Sequence, residues 1–263
     1  MSTLTTPHID VHRGGDRMKT RVAWLDSKHS FSFGEHYDPE NTHHGLLLVN
    51  NEDIVRPGEG FETHPHRDME IVTWVLSGSL VHQDSLGHNG IIYPGLAQRM
   101  SAGTGIMHSE KNDSWQLPAA QGGTAEHSDP VHFVQMWVVP DEPGLEPGYQ
   151  QLDIDDELAA GALVTVASGL PRYRDRTAIA INSSHSAMHV ANVGLPGRPA
   201  VVELPEAPYL HLFVAEGEVE MEGLGMLYAG DAVRLTRSGG QRITAHVPSE
   251  IIVWEMHARL GGQ

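Results

Sequence analysis

Two short stretches of this chain carry residues whose types and spacing suit metal chemistry. The first is Thr63-His64-Pro65-His66, the second is His108-Ser109-Glu110. Each offers two metal-type ligands separated by one residue: His64 with His66, and His108 with Glu110. On an extended strand, residues i and i+2 point to the same face. Two such strands brought together would aim three imidazoles and one carboxylate at a common point. Three nitrogens and one oxygen suit a single divalent first-row metal such as iron, copper, nickel, manganese or zinc. A lone His-x-His is more often solvated or hydrogen-bonded than ligating. Two i, i+2 pairs, separated by glycine-rich turns, strands and a Pro94-Gly95 corner, make the metal reading the stronger one.

The elements that must position these pairs read as strands. Pro57, Gly58 and Gly60 form a turn before the strand with His64 and His66. Residues 69–76 are apolar with β-branched and aromatic members. Ser77-Gly78-Ser79 turns the chain into a return strand at 80–84, so this is a hairpin. A short strand follows at 91–93, and 98–102 leads into the Gly103-Thr104-Gly105 turn and then the strand with His108 and Glu110. Both glycines would let backbone pass close to the site. Upstream, residues 1–19 lack periodicity, 22–25, 30–33 and 45–50 read as strands, and 51–60 reads as turn. His43 and His44 read as surface residues. Downstream, 112–130 reads as a surface excursion, with an apparent insertion at 121–129. Residues 131–139 form a strong strand, 140–148 a linker, and 153–160 a short helix. The second half reads as β again, with strands at 163–167, 178–181, 188–193, 210–215, 218–221, 232–235, 241–245 and 251–256. Many short strands at close spacing indicate a sandwich or barrel. The two halves look like two similar β modules, at 1–145 and 146–263. The second lacks the ligand pairs and is expected to hold no metal.

The chain has 263 residues and a formal net charge of −17, with only three lysines, Lys19, Lys28 and Lys111. Bulk charge therefore argues against binding nucleic acid or an anionic membrane. With no cysteine, disulfides, thiolate ligands and cysteine nucleophiles are excluded. No export signal or membrane span is read, and a cytoplasmic location is expected.

Gly58, His64, His66 and Glu70 together resemble the first cupin motif, and Pro94-Gly95 with His108 resembles a variant of the second. Residues 63–73, His82-Gln83-Asp84-Ser85 and 100–110 resemble the pirin family, and bacterial pirin-like quercetin 2,3-dioxygenases in particular. That resemblance implies an all-β bicupin, two tandem cupin domains of double-stranded β-helix or jelly-roll type. It implies one metal in the N-terminal cupin, usually Fe(II), with copper, nickel, manganese, cobalt and zinc as alternatives. The implied ligands are His64, His66, His108 and Glu110. Glu70 is left out of the ligand set and is expected in a salt bridge or supporting hydrogen bond.

The activity implied is ring-opening of a flavonol-like aromatic substrate with O2, releasing CO, with Glu110 as general base. A non-enzymatic metal or redox sensor that binds a protein partner is the second reading, and a storage-like structural cupin the third. A monomer is expected.

Overall fold

The computed structural model describes residues 7–113, 115–116, 124–125 and 128–261. Strands dominate it, and the one α-helix among the described residues is Asp155–Leu158, inside the span expected to be helical. The insertion expected at 121–129 lies mostly outside the described residues. No helix among them is long and apolar enough to cross a membrane.

Two seven-stranded sheets and two four-stranded sheets make up the body of the protein. In the first module the large sheet runs Gly148–Asp153, Leu96–Ser101, Glu70–Ser77, Val131–Val138, Leu47–Val55, Leu25–His29, Met18–Arg21. Its small sheet runs Gly60–His66, Ile106–Lys111, Leu80–Asp84, Asn89–Ile92. The second module repeats this plan. Its large sheet runs His8–His12, Ala232–Ser238, Ala207–Glu216, Ser249–Met256, Ser186–Val193, Val164–Ser168, Ile179–Ala180. Its small sheet runs Val201–Glu203, Arg242–Ala245, Glu218–Met221, Gly225–Tyr228. The tandem all-β jelly-roll architecture is therefore present. Each module nevertheless takes one edge strand from beyond its own half: His8–His12 pairs with Ala232–Ser238, and Gly148–Asp153 pairs with Leu96–Ser101.

Period-two alternation decides what each large sheet shows to either side. In the first module Val72, Trp74, Val134 and Met136 face outward and pack on Met188, Val190, Phe213 and Trp254 of the second. This shared apolar layer joins the modules. Trp74 Nε1 also donates to Glu250 Oε1 at 2.7 Å across it. Burial pushes the Glu250 carboxyl up to about 7, against the opposing effect of the Trp74 hydrogen bond. Glu70 is buried here too. It accepts from Ser101 Oγ at 2.8 Å and from the Asn182 backbone N–H at 3.1 Å, so its supporting role is to tie one module to the other.

Several expected boundaries shift for identifiable reasons. Residues 30–33 alternate but join no ladder; Phe31 is buried in the layer between modules while the Phe33 ring stacks on His29. The strand expected at 45–50 continues to Val55 through Asn51, Glu52 and Asp53, which point into or along the module rather than forming a turn. His44 is half-buried, with Nε2 3.2 Å from the Leu235 carbonyl oxygen of the other module. Asn112, placed at the start of a surface excursion, is buried and donates to the Val55 and Asp129 carbonyls.

Candidate metal centre

The two ligand-bearing strands are neighbours in the small sheet, antiparallel, with His108 directly opposite His64. Pairing shifts register between His108 and Glu110, so Glu110 lies opposite Phe61. Such a bulge re-aims a side chain. Here Glu110 turns toward the large sheet, where Thr73 Oγ1 donates to Oε1 at 3.2 Å and Gln135 Nε2 donates to Oε2 at 2.6 Å. Trp137 Nε1 in turn donates to Gln135 Oε1 at 3.0 Å, which fixes the amide's orientation. Gly60 is the glycine this packing requires, since a Cβ there would collide with the Glu110 carbonyl. Gly103 instead abuts the Leu145 backbone, and a Cβ on Gly105 would meet little.

His64, His66 and His108 bring ligand nitrogens within 4.8 Å of one another. Glu110 falls in an adjoining group with His108 and His82. The ring tautomers follow from the hydrogen bonds. His64 Nδ1 lies 2.7 Å from the Glu62 carbonyl oxygen, which can only accept, so Nδ1 carries the proton and Nε2 keeps its lone pair. On the other side, Asp84 Oδ2 lies 3.3 Å from His82 Nε2, and His82 Nδ1 lies 3.5 Å from His108 Nδ1. The hydrogen bonds from His82 and His88 and from the Leu86 and His88 backbone outweigh burial and hold Asp84 below its ordinary pKa. An ionised Asp84 accepts the hydrogen bond from His82 Nε2–H, His82 Nδ1 then accepts from His108 Nδ1–H, and His108 Nε2 is left with its lone pair.

The two lone-pair nitrogens, His64 Nε2 and His108 Nε2, face each other at 3.1 Å. Two nitrogens each ~2.1 Å from a common cation and at right angles around it would lie about 3 Å apart. His66 Nε2 completes the picture as a buried nitrogen with no hydrogen-bond partner. These facing acceptors and the orphan nitrogen fit a cation. Burial, helped by the neighbouring imidazoles, lowers both His66 and His108 to about 4, so both rings are neutral near pH 7 and free to ligate. For Glu110 burial acts upward, but His108, His82 and the Gln135 amide outweigh it, and its pKa lies below the ordinary value.

One cavity of about 530 Å³ reaches His64, His66 and Glu110. That volume falls in the ~300–1,000 Å³ range of small-molecule sites. Trp24, Phe33, Phe61 and Trp137 supply aromatic walls. The interior also exposes a polar floor, Ser27, His29, Asn51 and Asp53, which sequence reading missed because these residues look like turn or solvent-facing positions. His82 was missed as a supporting residue although it stands in the His82-Gln83-Asp84-Ser85 motif, because its contact with His108 crosses between strands. His185, His189, His211, His246 and His257 join no metal-type group among the described residues.

The pirin family profile matches residues 12–138. A Mycobacterium tuberculosis protein named "Putative quercetin 2,3-dioxygenase" is 56% identical over 256 residues, covering 97% of this chain and 98% of its own length. An Escherichia coli protein named "Quercetin 2,3-dioxygenase" is 42% identical over 147 residues, 56% of this chain and 58% of its own. Among solved structures, the E. coli bacterial pirin YhhW in complex with nickel(II) superposes with a TM-score of 0.79 at 30% identity, covering 95% of this chain and 100% of that one. With near end-to-end identity of this order and the same fold, the chain belongs to the pirin family.

Proposed function

We propose that this chain holds one divalent transition metal, iron(II) in its working state, through His64, His66, His108 and Glu110, and opens the ring of a flavonol with dioxygen, releasing carbon monoxide. The observation that carries the metal assignment is the pair of facing His64 and His108 lone pairs beside the unpartnered His66 nitrogen. The nickel(II) complex of YhhW supports a metal at such a site. The names of the relatives support the substrate class. When bound, the metal supplies Lewis acidity toward the flavonol's enolic hydroxyl.

The chain's own residues do the rest. Trp24, Phe33, Phe61 and Trp137 hold a planar aromatic and keep water from its faces. Glu110 takes the hydroxyl proton on a carboxylate oxygen. Thr73 and Gln135 hold that carboxylate in place, and its low pKa keeps it ionised to receive the proton. Aerobic incubation of iron-loaded protein with quercetin should remove the flavonol absorbance and release carbon monoxide, while His64→Ala should do neither. Glu110→Gln separates the two roles of that residue: retained metal with lost turnover supports the base, and retained turnover removes it.

One observation favours a regulatory reading. His66 also borders a surface groove with Pro65, Arg67, Ser85 and Met107, so the centre touches the exterior directly. Iron-loaded wild type that fails to consume quercetin faster than His64→Ala would point to a sensor acting through a protein partner at this groove.

A further inference from the structure

The cavity has two chemically different walls. His64, His66 and Glu110 belong to the small sheet, while Ser27, His29, Asn51 and Asp53 belong to the large one. On the large sheet Gln135 pairs with Asn51, and one row further Phe133 pairs with Asp53, which pairs with Ser27. Asp53 therefore lies one step beyond the Gln135 that holds Glu110.

Most of this floor is already satisfied. His29 has Nδ1 2.9 Å from Asn51 Oδ1 and Nε2 2.8 Å from Thr20 Oγ1. Asp53 is different. It is 4% exposed, lines the cavity, and its Oδ1 has no hydrogen-bond partner. A buried carboxyl oxygen left without a partner is unfavourable. Such a group persists where a ligand completes it. Burial pushes the carboxyl up to about 7; the Ser27 hydrogen bond opposes this and the Glu110 charge adds to it. Near neutrality the group can thus accept or donate.

We propose that Asp53 is the specificity-determining residue of the cavity: its free carboxyl oxygen hydrogen-bonds a phenolic hydroxyl carried by the part of the ligand that lies away from His64, His66 and Glu110. The ligand class is a planar aromatic with one chelating oxygen and a second hydroxyl on a separate ring. The inference rests on the flavonol reading and sharpens it, because it divides flavonols by their distal hydroxyls.

The test is binding, measured by quenching of cavity tryptophan fluorescence in nickel-loaded protein without oxygen. The probes are quercetin, which bears ring hydroxyls, and 3-hydroxyflavone, which bears only the chelating one. Wild type should prefer quercetin by at least about tenfold, as a hydrogen bond to a carboxylate implies. Asp53→Ala should bring the two affinities within about threefold while leaving that for 3-hydroxyflavone unchanged. Asp53→Asn, nearly isosteric, should keep part of the preference. Nickel content and melting temperature confirm that both variants fold. A full preference in Asp53→Ala, or equal loss for both ligands, overturns the proposal. Equal wild-type affinity for both ligands overturns it while leaving the flavonol reading intact. Wild type that binds neither ligand overturns both.

Discussion

The two modules share one strand plan and fill it with opposite chemistry. In the first, the facing pair on the small sheet is His64 and His108. In the second, the strands at the same places in the small sheet pair Val202 with Ile243. Those two join Leu212, Val214, Ile251 and Val253 in an apolar interior. The second module keeps two buried histidines among the described residues, His189 and His211. His189 and His257 both bond Glu255, as do Tyr173 and Arg172. The hydrogen bonds from His189, His257 and Tyr173 outweigh burial and hold Glu255 at about 2. His211 is the exception: its ring nitrogens have no partner, but it packs on Phe31 and joins no group of three metal-type ligands among the described residues. The difference teaches that converging unused lone pairs, and not the mere presence of histidine, mark a jelly roll as a candidate metal site.

The comparison can be broken first by exchanging the expected consequences. His64→Ala should abolish metal binding, from one ion per chain to none by elemental analysis, with little change in the melting temperature of the metal-free protein. Ile243→Ala should do the reverse. It removes a fully buried side chain and should cost about 2–5 kcal/mol in denaturant unfolding while metal content stays at one. If both variants lose metal equally, the modules are not divided as described.

A smaller effect tests how the ligand carboxylate is held. Gln135→Leu deletes the 2.6 Å donor to Glu110 and should weaken metal affinity about 10–100-fold in chelator competition.

The smallest effect concerns the layer between modules. Glu250 has a folded pKa near 7 against an ordinary 4.5. A raised folded value means stability that is full below pH ~4.5 and lost as pH rises through about 7. Glu250→Gln keeps an acceptor for Trp74 and removes that loss. Its melting temperature should exceed wild type at pH 8 and not at pH 5; an equal shift at both would separate Glu250 from the pH dependence.

The candidate ligand strands were legible because i, i+2 pairs on strands keep both partners on one face, and His64, His66, His108 and Glu110 show that spacing openly. The helix at Asp155–Leu158 was legible from its acidic start. The polar floor was not. Asn51 and Asp53 sit in a run that reads as a turn, because polar side chains inside a barrel carry the same pattern as polar side chains facing water. His82 and Asp84 were legible as a strand, but their role depends on a cross-strand contact with His108 that no local spacing encodes. The strands His8–His12 and Gly148–Asp153 escaped for a related reason. Each takes its ladder from a distant segment; Gly148–Asp153 carries no apolar alternation, and in His8–His12 the alternation rests on Ile9 and Val11 alone.

Those two edge strands have a practical consequence. A scission of the chain near residue 145 would not release two finished halves. The leading fragment would leave Leu96–Ser101 with a bare edge, and the trailing fragment would leave Ala232–Ser238 likewise open. Unpaired edges invite pairing with other chains. Each fragment expressed by itself should therefore clump, and mixing the two should rescue solubility, as two hands regain their grip only when both are present.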